Sequence, residues 1–285
     1  MRLPALGLAL LTAAAHAAPP VVDHIVWLNS DTLAVRVGGQ LVRPSEQIAS
    51  WLQAHLPAGV RLQPTVANAE RSWALLRQGE ADCIASAVRL PEREYLAHFT
   101  TLWLMPPPQV IVRREHGNAL PLDAHGAVDL PALLADTSLR GVIAQGRSYG
   151  AALDAQLTAG QRLVRVKGGD FGSNLLPMLM QDRADYTVEY PNVLVALASR
   201  QEGEPGLTAL PVKGAGEPVA AGVACPRTPW GLAAIRLIDA TFGTPEGAAM
   251  LREALQASLP VDTQRAYREA FDIHFQRRSR PTPGL

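Results

Sequence analysis

The sequence has 285 residues and equal numbers of acidic and basic residues, 26 of each, so its formal net charge at pH 7 is zero. No block of basic residues occurs, which argues against nucleic acid as a partner. Beyond the N-terminal segment, no uncharged apolar run is long enough to cross a bilayer. The chain is long enough to form two lobes, each with its own core.

Residues 1–17 have the parts of a secretory signal. Arg2 carries the one positive charge, residues 3–15 are largely apolar, and Ala15-His16-Ala17 is a small-x-small cleavage site. We predict cleavage after Ala17 and export, most simply into a Gram-negative periplasm. The alternative is an ordinary N-terminal helix. Since no cysteine lies near the cleavage point, no lipid anchor is predicted.

The next part of the chain alternates strands and helices, which predicts a mainly parallel sheet. We predict strands over residues 25–28, 62–67 and 83–88, and helices that begin at Pro44 and after Asn68. Asn68 is a good N-cap, and Gly79 stands where that helix would end. Pro64 argues against a central position for the second strand. Arg89 and Arg93 follow the third strand, at the edge where open α/β sheets bind ligands.

Three prolines at residues 106–108 predict a stiff crossing into a second lobe, which begins near Gln109. In that lobe we predict helices over residues 129–134, 148–157 and 174–180, and strands over residues 141–144, 163–166 and 184–188. A return crossing at residues 210–216 leads to a strand over residues 218–225 and to helices that begin at Thr228-Pro229, at Thr244-Pro245 and near Thr263. The predicted lobes are therefore residues 18–106 with 213–285, and residues 107–212.

Gly79-Glu80-Ala81-Asp82, the strand after it, Pro91-Glu92-Arg93 and Phe99 resemble the type II periplasmic solute-binding proteins of ABC transporters, family 3. That family typically has Gly-x-x-Asp, a strand that ends in Ser or Thr, Pro-Glu-Arg and, six residues on, Phe-Ser, where this chain has Thr100. The resemblance covers nearly the whole mature chain. It implies two α/β lobes, each a mainly parallel sheet flanked by helices, joined by two hinge crossings that close over a small solute. It also implies delivery to an ABC permease, and we expect a monomer.

The resemblance also implies ligand contacts in the first lobe. Arg93 matches the family's Pro-Glu-Arg position, where a guanidinium group suits bidentate binding of a carboxylate. The alternative for Arg93 is a surface salt bridge to a neighbouring glutamate. Ser86 and Arg89 are further candidates, although the turn is one residue shorter than the family pattern. Asn29 is also a candidate, because the loop of residues 29–31 replaces the family's aromatic-proline segment.

The segment of residues 146–150 fits the G-x-S-x-G elbow of serine hydrolases, with Ser148 as nucleophile. A triad would also need an acid and a histidine, and His274 is the only histidine after Ser148. The same residues resemble the family's Gly-x-Thr/Ser turn, which holds an anion at a helix N-terminus. We interpret Arg147 and Ser148 as anion-binding residues.

Family members that bind α-amino acids place an acid after the Gly-x-x-Asp strand of the second lobe, to pair with the ammonium group. Here Glu189 comes one position early and Tyr190 occupies the matching place. Both are candidates for ligand contact, and Tyr190 either stacks on a ligand or covers the end of the strand. The departure from the pattern puts specificity for α-amino acids in question.

Cys83 and Cys225 are the only cysteines, and an even count in an exported chain favours a disulfide. In the resembled family the two matching strands are neighbours, which implies this pairing; the alternative is two buried thiols. Two cysteines do not make a metal site, and no cofactor is expected. Rival functions are a dehydratase-like lyase with Glu189 as acid or base, a Ser148 hydrolase, and a sensory or accessory binding module.

Overall fold

The structure is a computed structural model that describes residues 20–29, 33–160, 162–167, 174–200 and 205–285. Over these residues it contains two five-stranded sheets, and we call each sheet with the helices packed on it a lobe. The predicted signal segment lies outside the described residues, as do Ser30 and Asp31 of the predicted polar loop.

The sheet of the first lobe has the strand order β4–β1–β5–β12–β6. Its strands are β1 (His24–Asn29), β4 (Arg61–Val66), β5 (Asp82–Val88), β6 (Ala97–Met105) and β12 (Val219–Pro226). Strands β4, β1 and β5 are parallel, whereas β12 is antiparallel to both of its neighbours. Pro64 lies in the edge strand β4, as predicted, where a missing N–H is tolerated.

The sheet of the second lobe has the order β11–β7–β10–β8–β9. Its strands are β7 (Gln109–Arg113), β8 (Gly141–Ala144), β9 (Val164–Val166), β10 (Tyr186–Glu189) and β11 (Leu207–Leu210). Here β7 is the strand that runs antiparallel to its neighbours. Residues 106–108 connect β6 to β7, and residues 211–218 connect β11 to β12. Each crossing therefore leads into the strand that runs antiparallel to its neighbours, β7 in the second sheet and β12 in the first. The residue limits of the two lobes stay a prediction.

Helices cover both sheets, and four of them have the N-caps that the sequence indicates, namely Asn68, Asp129, Thr228 and Thr244. In the first lobe they are α1 (Pro44–His55), α2 (Ala69–Gln78), α3 (Pro91–Glu94), α8 (Pro229–Phe242), α9 (Pro245–Ala257), α10 (Val261–Ala266) and α11 (Arg268–Arg278). In the second lobe they are α4 (Leu130–Ala135), α5 (Ala151–Ala159), α6 (Leu176–Met180) and α7 (Asn192–Arg200). Asn68 Oδ1 accepts a hydrogen bond from Arg71 N at 2.9 Å, and Gly79 ends α2 with φ +78°.

The structure differs from the sequence prediction in several elements. The predicted last helix is divided at Tyr267 into α10 and α11, and the Tyr267 hydroxyl donates to Gly216 O at 3.0 Å. Helix α7 was not predicted, because its almost uniformly aliphatic sequence has no period that separates helix from strand. A hairpin of two three-residue strands, β2 (Val35–Val37) and β3 (Gln40–Val42), was also not predicted.

This hairpin connects the lobes. Although it follows β1 in the chain, Leu33 and Val35 are buried in a cluster with Ile111 and Val142 of the second lobe. Its backbone also reaches α7, because Arg36 N donates to Ser199 Oγ at 3.0 Å. The hairpin is therefore a contact between lobes beside the two crossings.

The predicted disulfide between Cys83 and Cys225 is confirmed. Cys83 lies in β5 and Cys225 in the neighbouring strand β12, with the two Cα atoms 4.3 Å apart. Both residues are fully buried in the first-lobe core, which also contains Trp27 of β1 and Phe242 of α8. The bond joins positions that are 142 residues apart in sequence.

Candidate functional site: a cavity between the lobes

A cavity of about 130 Å³ lies between the two lobes and is lined by residues of both. The first lobe contributes Asn29 from the end of β1, Ser86 from β5 and Arg93 from α3. The second lobe contributes the loop after β8 and Tyr190, which follows β10. Most of these residues lie at the carboxyl ends of parallel strands, the edge at which open α/β sheets bind ligands.

Arg93 provides a positive charge at the first-lobe wall. Its Nη1 donates to Val88 O at 3.0 Å, and its guanidinium carbon lies 4.8 Å from the centre of the Trp73 ring. Burial lowers the pKa of Arg93, and the negative charges of Asp154 and Glu92 only partly oppose this shift. Among the described residues no carboxylate lies within ion-pair distance of this guanidinium. The geometry thus holds a partly desolvated cation at the wall of the cavity.

Arg89 has a different environment from Arg93. Its Nε lies 2.6 Å from Glu94 Oε1, and both side chains are about two-fifths exposed. Arg89 does not belong to the residues that line the cavity. Of the two arginines in this turn, the structure therefore brings only Arg93 to the cavity.

The loop after β8 is organised by an aspartate that the sequence analysis did not single out. Asp154, in the first turn of α5, accepts from Ser148 Oγ at 2.5 Å and from Tyr149 N at 2.7 Å. The Ser148 hydroxyl and the Tyr149 amide, which we expected to bind an anionic ligand, therefore donate to the Asp154 carboxylate instead. Ser148 is 5% exposed and lines the cavity. No histidine of the described residues is its hydrogen-bond partner, and His274 bonds to Leu102 O in the first lobe at 2.9 Å.

Arg147 and Glu189 form an ion pair behind the second-lobe wall. Arg147 Nη2 lies 3.1 Å from Glu189 Oε2, and the side chains are 8% and 0% exposed. Burial raises the pKa of Glu189 to about 7, although Arg147, the Tyr190 amide and the Tyr149 hydroxyl all act to lower it. Arg147 lines the cavity, whereas Glu189 lies beneath it. Glu189 is therefore the buried carboxyl partner of Arg147.

Tyr190 is a wall residue that also closes the end of its strand. It is buried, its hydroxyl donates to Ser148 O at 3.1 Å, and its ring stacks with that of Tyr149 at a centroid distance of 6.3 Å. The Arg147 guanidinium lies 5.1 Å from the centre of the Tyr190 ring. The side chain therefore covers the end of its strand, one of the two alternatives drawn from the sequence, and also lines the cavity; stacking on a ligand stays a prediction.

Several lining residues were missed by the sequence analysis. They are mainly apolar or amide side chains, namely Trp27, Trp73, Trp103 and Asn192. Asn192 follows the end of β10 by three positions, so the rule that predicts ligand contacts at strand ends could have identified it. The tryptophans give no such signal, because aromatic residues in strands and helices most often pack in cores.

Trp103 and Asn192 each present an unsatisfied polar atom. Trp103 Nε1 and Asn192 Oδ1 are buried and have no hydrogen-bond partner among the described residues. Buried polar atoms are normally paired, so these two are available to a bound molecule. Over the same part of the chain, no group of three or more His, Cys, Asp or Glu could hold a metal ion, and no helix is both long and apolar enough to span a membrane.

Comparisons with known proteins support the fold. No protein-family model matches the sequence, and a search of curated proteins gives no match. An amino acid ABC transporter substrate-binding protein of Streptococcus pneumoniae, solved with L-arginine, is 17% identical with a TM-score of 0.56, over 84% of this chain and 97% of that chain. A Salmonella typhimurium periplasmic binding protein of high arginine specificity is 13% identical with a TM-score of 0.54, over 86% and 98% of the two chains.

The periplasmic domain of B. pertussis BvgS is 19% identical with a TM-score of 0.56, over 88% of this chain and 46% of that chain. At such low sequence identities, the similarity shows a shared backbone fold and does not show a shared ligand. In these three matches it extends over 84% to 88% of this chain. The chain therefore has the two-lobed α/β fold of the type II periplasmic solute-binding proteins.

Proposed function

We propose that the protein is a periplasmic solute-binding protein, which captures a small polar or anionic solute of amino-acid size between its lobes for an ABC permease. The observation that carries this proposal is Arg93, a partly desolvated guanidinium without a carboxylate partner among the described residues, at a cavity between two lobes. A guanidinium group in this setting favours a ligand carboxylate, because it offers several donors in a fixed plane. The fold shared with substrate-binding proteins of ABC transporters supports the same conclusion.

The cellular location follows from separate observations. A disulfide in the first-lobe core supports an oxidising compartment, which agrees with the predicted signal segment of residues 1–17. In this proposal the mature protein begins after Ala17, acts as a monomer and docks its closed form on a permease.

The test begins with a thermal-shift screen of the purified mature protein against amino acids, organic acids and small amines. A ligand at about 100 times its dissociation constant should stabilise the folded state by roughly 2.7 kcal/mol. With a ligand in hand, we expect Arg93→Ala to weaken binding at least about 100-fold, because a charged hydrogen bond contributes roughly 1.5–3 kcal/mol and a buried carboxylate would lose its partner.

The matched control is Arg77→Ala, which removes an exposed arginine of α2. It should bind the ligand as the unaltered protein does. If Arg93→Ala retained full affinity, Arg93 would not belong to the site.

A lyase is the second candidate, because a carboxyl group with a pKa of about 7 suits general acid or base chemistry. Burial of Glu189 beneath Arg147 counts against it, since a general base must reach its substrate. Turnover that Glu189→Gln abolishes would establish the lyase. A role as an accessory or sensory module is the third candidate. What favours it is that this chain matches 46% of a longer periplasmic chain, so the fold can serve as one part of a larger protein.

A further inference from the structure

The cavity has a chemical character that narrows its ligand class. We propose that it selects a monocarboxylate with an apolar body of about one ring in volume and no ammonium or guanidinium group. This inference rests on the proposed solute-binding function and concerns the same cavity. It separates this protein from the arginine-bound protein and from the protein of high arginine specificity to which its fold is similar.

The first argument is the charge balance. Two guanidinium groups line the cavity, but Arg147 already has a carboxyl partner, because its Nη2 lies 3.1 Å from Glu189 Oε2. Among the described residues, no carboxylate lies within ion-pair distance of Arg93. Asp154 is the strongest negative charge that acts on Arg93, but its oxygens accept from Ser148 Oγ and Tyr149 N and lie outside the lining. The Arg93 guanidinium is therefore the group that can pair directly with a ligand carboxylate.

The second argument concerns cationic groups on the ligand. Of the described residues that line the cavity, none is an aspartate or a glutamate. Asp31 lies outside the described residues. The unsatisfied Asn192 Oδ1 offers a cationic group one hydrogen bond but no charge. A bound ammonium or guanidinium group would therefore lose its water without gaining an opposite charge from this lining, which is strongly unfavourable.

The third argument is the shape and polarity of the walls. Trp27, Trp73 and Trp103 contribute to the lining, together with Ile48 and Leu255. A closed apolar cavity of about 150 Å³ accommodates one benzene ring, so the volume here, about 130 Å³, suits a single ring or a short branched chain. These walls favour a hydrocarbon body over a polar one.

The fourth argument is the unsatisfied Trp103 Nε1 donor. Trp103 is 8% exposed, and none of the described residues accepts a hydrogen bond from its indole N–H. A carboxylate oxygen is an acceptor only, so an acidic ligand can pair with this donor while an ammonium group cannot. The donor at Trp103 and the cation at Arg93 thus both favour an acceptor-rich, anionic ligand.

The experiment is isothermal titration calorimetry with two sets of probes. Within a set, all probes have the same hydrocarbon group and differ only in their charged groups. The first set is phenylacetate, phenylglycine and benzylamine; the second is 3-methylbutanoate, valine and 2-methylpropylamine; L-arginine is added as a separate probe. We expect a carboxylate to bind at least about tenfold more tightly than its amino acid, and neither the amines nor L-arginine to bind. Amino acids that bind more tightly would overturn this inference and leave the proposed function intact. If no probe binds, and the wider screen described above also finds no ligand, the inference and the proposed function both fail.

A variant tests the charge argument within the protein. Asn192→Asp introduces a carboxylate of nearly the same shape at the first residue of α7, where a negative charge is tolerated. We expect it to shift the ratio of the two dissociation constants by about tenfold toward the amino acid. Asn118→Asp adds the same charge at an exposed position away from the cavity and should leave the ratio unchanged. A ratio unaffected by Asn192→Asp would contradict the inference.

Discussion

Glu189 is the residue whose chemistry depends most on its surroundings. It has no exposed surface, and Arg147, Tyr149 and the Tyr190 amide are its polar neighbours. Burial raises its pKa from 4.5 to about 7, so the folded protein holds a proton there that the unfolded chain releases at lower pH. Between these two values the folded state binds more protons than the unfolded state.

The consequence is a stability that falls as pH rises through this window. We expect the free energy of unfolding of the unaltered protein, relative to Glu189→Gln, to decrease from about pH 4.5 to pH 7 and to remain constant above it. Urea unfolding of both proteins across this range measures the difference. A difference that is flat or rises with pH would show that the folded state does not raise the pKa of Glu189.

For single residues, the sequence predicts which side chains lie near the cavity better than it predicts which groups they bond to. The Pro-Glu-Arg motif identifies Arg93, and the structure places Arg93 at the cavity. Arg89 follows the same strand and has the same side chain, yet its guanidinium pairs with Glu94. The choice depends on side-chain directions, and spacing in the sequence does not determine them.

The pair of strands β5 and β12 carries the main covalent constraint of the fold. Closing a loop of 142 residues stabilises the folded state by about 4–5 kcal/mol in the chain-entropy model. We expect the double variant Cys83→Ala, Cys225→Ala to lower the free energy of unfolding by about that amount while it still binds ligand at low temperature. Chemical unfolding of the two proteins measures the change, and a loss below about 1 kcal/mol would contradict the loop argument.

Helix ends and strand edges were predictable because their signals are local. Asn68 and Gly79 bound α2 through their own conformations, and Pro64 restricts β4 to an edge. The hairpin of β2 and β3 and helix α7 were not predictable in this way. Leu33 and Val35 gain their buried surroundings from the second lobe, which is distant in sequence.

At the scale of the whole molecule, the hairpin and α7 set how the lobes meet. Arg36 N donates to Ser199 Oγ at 3.0 Å, and Arg36 Nη2 donates to Ser199 O at 3.3 Å. Neither Arg36 nor Ser199 lines the cavity, so these two residues affect ligand binding only through the arrangement of the lobes. They are therefore suited to a test of closure.

We expect the double variant Arg36→Ala, Ser199→Ala to favour an open arrangement, because each lost hydrogen bond contributes about 1 kcal/mol. Its radius of gyration from small-angle scattering should increase, and its affinity for the ligand should fall about fivefold. Arg43→Ala, which removes an exposed arginine paired with Glu46 before α1, should change neither quantity. A compact variant with normal affinity would show that these contacts do not hold the lobes together.

The position of β12 has a further consequence for how the chain acquires its structure. This strand lies between β5 and β6, but it is made only after the whole second lobe. Until β12 is made, β5 and β6 each present an unpaired edge that can recruit a neighbouring chain. A chaperone that covers these edges would therefore protect the nascent protein most during the synthesis of residues 106–218.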